Sequence, residues 1–550
     1  MRSRPLFAPF LILLLLLSFG SCQPVEAPIE EQVDALPDAG GTLHRRLTGD
    51  VATLNFVRHS NLNEKYVLSY LHDPLLSWND SLELIPALAV EWSVEDAGRR
   101  FIFRLDPRAT FSDGRPVLAS DVVFTLKKIV DPASQSAQYA GLFSGLDLKR
   151  TRAIDERTVE VVFSQARASQ LQAFNIPVLP EHVYGVGDFT EHDFDVIGTG
   201  PYVLDRRVEG REIRLVRRED YWRSRPFLEE IVFHVIGDDT TAWNVMRRGD
   251  LDEMAISTDR WTEARQSPAA KALMDFYVFY ELEYSFIAWN NRHPALKDAR
   301  VRRAMSMALD RRSIIDSIYK GTARIVTGPF TPDQPFYNAR VQPIEYDLPG
   351  AAELLNQAGW TDRDEDGILD RDGQPLSIEL NVSAGSTFSQ QAAQILQEAV
   401  RQIGVDMKVV PLERAAFFSR IVAGDFEAAL LSWGIDPDPD QFSIFHSMQF
   451  PPSGQNFVHY SNPVVDDLIA RGRRELDEKL RIQIYQELHE MLAQDQPYTW
   501  IVQESKKWAV NKRIRNVQIA RGIGLYLWYP DSRVWWIPKH LQRPEPVAEE

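Results

Sequence analysis

Phe111-Ser112-Asp113-Gly114-Arg115-Pro116, followed by Ala119, Asp121-Val122 and Phe124-Thr125, is the stretch on which the reading of the fold turns. From Asp121 on, Val122, Val123, Leu126, Ile129 and Val130 recur at helical spacing, and Ser120 or Asp121 can cap the helix. Just upstream, Phe101, Phe103 and Leu105 alternate as the buried face of a strand. Ile213 and Leu215 do the same, with Arg217 as a polar exit. Further out, Asp298 opens a helix carrying Val301, Ala304, Met305, Ala308 and Leu309 on one face. Asp310 can cap the next, with Ile314, Ile315 and Ile318. Ala393, Leu396, Ala399, Val400 and Ile403 predict another helix, and Gly404 leads from it into a strand over Val405 to Val410. The chain reads as mixed α/β, without internal repeats.

Its 550 residues exceed one compact core, so two or three domains are expected. The formal charge of −17 argues against a nucleic-acid partner, which would need clustered Lys and Arg. Cys22 is the single cysteine, so no internal disulfide can form. It follows a short basic start, an apolar run from Leu6 to Leu17 interrupted by Pro9, and the small pair Gly20-Ser21. That run has the size of a signal-peptide core and is short for a bilayer span. The arrangement resembles a bacterial lipoprotein, which implies that residues 1–21 would be the signal peptide and that Cys22 would carry the lipid. One departure is Phe19, where the class has Leu. Residues 22–41, rich in Pro and Glu, read as a disordered tether with a reach of roughly 20–30 Å.

Catalytic motifs are scarce. There is no Gly-x-Ser-x-Gly elbow, and Gly198-Thr199-Gly200-Pro201 is too short for a phosphate loop. His489-Glu490 starts like a zinc-protease helix but is followed by Ala493 where the second His belongs. Asp362, Asp364, Asp366 and Gly367 imitate half a calcium loop, with Asp370 at the ninth position and Gly373 where the closing Glu should stand. A polar turn is the plainer reading, partial calcium binding the other. No enzyme, cofactor or metal site is expected.

Several blocks together resemble the family 5 extracellular solute-binding proteins, the dipeptide, oligopeptide and nickel receptors of ABC importers. They are the opening stretch; Gly198-Thr199-Gly200-Pro201-Tyr202; Tyr221-Trp222; Asn290-Asn291 through Leu309-Asp310-Arg311; Ala358-Gly359-Trp360; and Tyr460-Ser461-Asn462-Pro463 with Asp466-Asp467. They follow in family order over roughly residues 42 to 540. The resemblance implies an α/β two-lobed periplasmic-binding-protein clamp of type II, in the large form with an extra subdomain in the first lobe. Residues 42–75, 195–280 and 500–550 would form the first lobe's core, 76–194 its extra subdomain, and 281–499 the second lobe.

It also implies a site. Ser432-Trp433-Gly434-Ile435-Asp436-Pro437-Asp438-Pro439-Asp440 resembles the loop with which peptide receptors of the family hold the ligand's ammonium. Asp436 falls on the ligating position, Trp433 would wall the pocket beside Gly434, and Asp438 and Asp440 would cap or orient the loop. Read from residues alone, the three Asp are solvated carboxylates in a Pro-rich turn. Dipeptide-selective members place an Arg ahead of the helix near Ser389, whereas this chain reads Ser383-Ala384-Gly385-Ser386-Thr387-Phe388. Oligopeptides are therefore expected ahead of dipeptides. The partners implied are a peptide or other small solute, an ABC permease and ATPase, and a membrane reached through the lipid. A monomer in the periplasm or at the cell surface is expected. The same clamp could carry a nickel chelate, with His446 and His459 after the loop as candidates, or an oligosaccharide, opine or haem. An extracytoplasmic hydrolase is the reading from another class.

Overall fold

The computed structural model describes residues 37–79, 81–519 and 532–543. The expected signal peptide, Cys22 and the tether through residue 36 lie outside the described residues. By Gly40 the chain is hydrogen-bonded to the folded body: the Gly40 N–H donates to the Phe227 carbonyl, and the Gly41 carbonyl accepts from Glu229.

Three large sheets form the framework of the folded body. The first has seven strands in the order Met274–Tyr280, Ser505–Asn511, Glu253–Ala255, Thr42–Leu47, Glu230–Val235, Glu212–Arg217 and Tyr202–Val208. Thr42–Leu47 runs parallel to both of its neighbours. A four-stranded antiparallel sheet, Ala89–Glu95, Arg100–Leu105, Thr158–Val162 and Arg152–Ala153, shares its core: Phe101, Phe103 and Leu105 pack in one cluster with Leu43, Ile213 and Ile231. The remaining sheet has five strands, Asp406–Leu412, Ser377–Ser383, Ala428–Gly434, Glu283–Trp289 and Tyr498–Trp500, and buries Ile287, Trp289 and Leu380 on one face and Phe286, Tyr498 and Trp500 on the other.

The chain crosses between the seven- and five-stranded sheets twice, between Tyr280 and Glu283 and between Trp500 and Ser505. Two short crossings concentrate any change of φ and ψ into a few residues, which suits rigid-body closure of a two-lobed clamp. Among the described residues no helix is long and apolar enough to cross a membrane.

The strands and helices expected from periodicity are present, with shifts at their ends. Asp298 and Asp310 cap their helices by accepting from the N–H groups of Arg300 and Ser313. The helix after the opening stretch spans Ala119–Val130, so Ser120 and Asp121 lie inside its first turn and Leu118 is the capping residue. Asp121 reaches back to accept from the Leu118 N–H at 2.8 Å, and its other oxygen takes the N–H of Glu181 at 2.9 Å. The later helix runs Thr387–Arg401; Ser386 caps it and Ile403 falls beyond it.

Gly198-Thr199-Gly200 has a packing reason. The Gly200 N–H donates to the carbonyl of Leu71, the last residue of the helix Leu62–Leu71, at 2.9 Å. A Cβ on Gly198 would stand 1.9 Å from that carbonyl oxygen, and one on Gly200 would stand 2.4 Å from the carbonyl oxygen of Tyr70. Both neighbours are backbone and cannot swing aside. Gly198→Ala is therefore expected to destabilise by about 1–3 kcal/mol or more, read as a lower midpoint in urea unfolding. An unchanged midpoint would remove this account.

Candidate functional site

The loop 434–440 leaves the end of the strand Ala428–Gly434, where Trp433 pairs with Tyr284 and Gly434 with Glu283, at the first crossing between sheets. Backbone bonds then pin it: the Ile435 N–H donates to Leu282 at 2.8 Å, and the Gln334 side-chain amide donates to the Asp436 carbonyl at 3.1 Å. Gly434 is exposed, with open space where a side chain would stand. Trp433 is half-buried in a row of near-parallel rings, 6.2 Å from Phe286 and 6.1 Å from Phe457.

The three carboxylates of this loop behave differently. Asp438 is buried against the Arg481 guanidinium, with an ion-pair distance of 2.8 Å, and its Oδ1 accepts from the Asp440 N–H at 2.9 Å. Asp440 pairs with Arg473 at 3.0 Å and accepts from the Phe442 N–H. Arg473 in turn lies 3.9 Å from the Phe442 ring. These two residues spend their charge inside the loop. The Asp436 side chain remains open to solvent, yet protein surrounds it closely enough to push its pKa above the ordinary Asp value; the charge of Lys65 opposes that rise.

Lys65 belongs to the helix Leu62–Leu71, which starts in a capping box: the Asn61 side chain accepts from the Glu64 N–H, and Glu64 reaches back to the Asn61 N–H. Burial lowers the pKa of Lys65, and Asp436 partly restores it. The two groups are thus near enough for each charge to shift the other's pKa, one on the helix Leu62–Leu71 and the other just past the strand Ala428–Gly434. Beside Lys65 opens a cavity of about 710 Å³. Its wall includes Phe56, Trp78, Tyr139 and Tyr221, with Arg223 and Arg225 exposed at its edge.

None of Lys65, Tyr139, Arg223 or His72, which also lines this cavity, is marked by spacing or motif in the sequence; only the neighbouring Tyr221-Trp222 stood out there. The two candidate histidines differ in their surroundings. His446 accepts from the Met448 N–H through Nδ1 and leans on Phe442, and His459 lies against Phe450. The segment 383–388 supplies Ser386 as a helix cap and no cation.

Asp362, Asp364 and Asp366 do converge, offering oxygens within 4.8 Å of one another, and all are exposed. Asp362 already accepts from the N–H groups of Glu365 and Gly367, and Asp370 from that of Arg363. These are the bonds of a polar turn that satisfies itself.

The family model "Bacterial extracellular solute-binding proteins, family 5 Middle" matches residues 83–453. The chain is 26% identical to the oligopeptide-binding protein AppA of Bacillus subtilis over 518 residues, covering 92% of this chain and 93% of that protein. It is 27% identical to the nickel-binding periplasmic protein of Escherichia coli, covering 78% and 82%. The structure of the Bacillus subtilis AppA protein in complex with a nonapeptide superposes with a TM-score of 0.73, covering 92% of this chain and all of that one. With a family model matching residues 83–453, relatives aligned over most of its length and a two-lobed α/β fold, this chain belongs to family 5 of the bacterial extracellular solute-binding proteins.

Proposed function

We propose that this protein captures peptides outside the cytoplasmic membrane and delivers them to an ABC importer, with Asp436 as the anion that holds the peptide ammonium. The observation that carries this reading is the division of labour in the loop 434–440. Asp438 and Asp440 are neutralised by Arg481 and Arg473, while Asp436 is exposed and forms no ion pair within 4.0 Å among the described residues. A desolvated ammonium needs such a partner, since an unpaired buried charge costs several kcal/mol. Trp433 and Gly434 form the adjoining wall, the first through its ring and the second through an unobstructed backbone.

Closure follows from a ligand touching both halves: contacts complete only in the closed form shift the population toward it. The lobes would divide at the two crossings, with 42–75, 195–280 and 500–550 as one core, 76–194 as its added subdomain and 281–499 as the other. The absence of an Arg in 383–388 supports peptides longer than two residues.

Native mass spectrometry of gently purified protein lacking its tether tests the cargo. Co-purified peptides of mixed sequence are the expected result. A single metal chelate or sugar would overturn the reading in favour of the same clamp with another load, and turnover of a peptide panel would reveal a hydrolase. Anchoring is proposed through a lipid on Cys22. Cys22→Ser should move the protein from the membrane fraction to the soluble one in cell fractionation, and unchanged partition would sink the anchor.

A further inference from the structure

The cavity beside Lys65 has chemistry that the ammonium site leaves unused. Its charged lining among the described residues is entirely cationic: Lys65, Arg223, Arg225 and Arg533. Two of these are balanced from behind the wall. Arg533 pairs with the buried Asp73 at 2.7 Å, and Arg225 pairs with Glu219. The charge of Lys65 is felt by Asp436, whose carboxylate opposes the lowering of the Lys65 pKa by burial. Arg223 has no carboxylate within ion-pair distance among the described residues. Its guanidinium lies 5.2 Å from the Trp222 ring and makes one long bond, 3.4 Å, to the Pro86 carbonyl.

A second observation points to a polar ligand. His72 lines the same cavity, is 3% exposed, and neither ring nitrogen has a hydrogen-bond partner among the described residues. Burial holds its pKa at about 4, so at neutral pH the ring is uncharged and offers one donor and one acceptor. Buried polar atoms are normally satisfied, and those that are not mark places where water or a ligand completes the set.

We infer that this cavity receives a carboxylate of the cargo, from an acidic side chain or from the C-terminus, with Lys65 and Arg223 as its cations and His72 as a hydrogen-bonding partner. The inference rests on the peptide reading above and narrows it: the protein would select peptides that carry negative charge beyond their ammonium. Charge-assisted bonds to guanidinium and ammonium are about twice as strong as neutral ones, so the discrimination should be large.

The test is calorimetric binding of tetrapeptides to the whole mature protein. Ala-Xaa-Ala-Ala and Ala-Ala-Xaa-Ala amides with Xaa as Glu, Gln or Lys probe the side chain, and tetra-alanine as free acid and as amide probes the C-terminus. Each is also made N-acetylated. One of the carboxylate forms should bind about ten-fold tighter or more than its neutral counterpart, and the Lys forms weakest. In Arg223→Gln, an exposed position that should not disturb folding, and in Lys65→Gln, that advantage should fall below about three-fold. No carboxylate advantage, or one that survives both substitutions, overturns the inference. Acetylated peptides that bind as well as free ones would remove the Asp436 ammonium site while leaving the carboxylate comparison intact. Failure of every peptide to bind would remove both.

Discussion

Asp436→Ala should weaken binding of peptides with a free N-terminus by about two to three orders of magnitude, the scale measured when one partner of a desolvated charge pair is truncated. Calorimetry with a free and an N-acetylated peptide checks it: acetylation should cost the wild type heavily and the variant little. Retained affinity in the variant would sink the ammonium assignment. Stability should move the other way. The Asp436 pKa is raised above its ordinary 3.8, chiefly by burial and against the pull of Lys65. The folded state therefore holds this proton more tightly than the unfolded state, and the group's contribution to stability declines as pH rises from about 4 through the raised folded value. At neutral pH the carboxylate is ionised at a cost to the fold, so Asp436→Ala should leave the melting temperature unchanged or slightly higher. Peptide affinity has its own acid limb: it should fall as pH drops through the raised Asp436 pKa, and Asp436→Ala should lose that limb. A side chain that binds ligand and weakens the empty fold is the usual mark of a site kept for function.

Sequence reading names the loop by its resemblance and does not mark the cavity beside Lys65. Phe101, Phe103 and Leu105, or Val301, Ala304 and Met305, are legible because burial repeats with the period of the element that carries it. The loop 432–440 is singled out by resemblance alone. Lys65 and Arg223 are not, because each is one cation among many on a half-exposed surface and gains meaning only from Asp436 or from the cavity beside it. Ser120 and Asp121 were read as caps because a short polar side chain at a helix start has that signature. What decided otherwise was Leu118, whose extended backbone caps the helix two residues before Ser120 and three before Asp121 and lets Asp121 reach back to it. Gly198 and Gly200 stand out in the sequence only as a stretch too short for a phosphate loop and as one block of the family resemblance, and it is the approach of Tyr70 and Leu71, 127 positions before Gly198 in the case of Leu71, that explains them.

The same limit governs the pair Asp436 and Asp438, two residues apart in one Pro-rich turn and opposite in role. Asp438 meets Arg481, 43 positions on, with both side chains 9% exposed. Its pKa is raised because burial outweighs the attraction of Arg481, while the guanidinium is held charged by Asp438 and by Tyr485. Asp438→Ala leaves that guanidinium buried without its counter-charge, an imbalance of about 3–5 kcal/mol, and releases the Asp440 N–H. A clear drop in melting temperature is expected, with affinity lost in proportion to the loop's disorder. Asp438→Leu combined with Arg481→Met should recover most of the stability, since replacing a buried pair by apolar groups of similar volume is often neutral or better. If the pair serves only to hold Asp436 in place, the double variant should recover acetylation-sensitive peptide binding as well. Recovery of stability without that binding would mean that the position of Asp436 depends on the bond from the Asp440 N–H to Asp438, which Leu cannot accept. Failure to recover either would show that the ion pair is itself required by the fold.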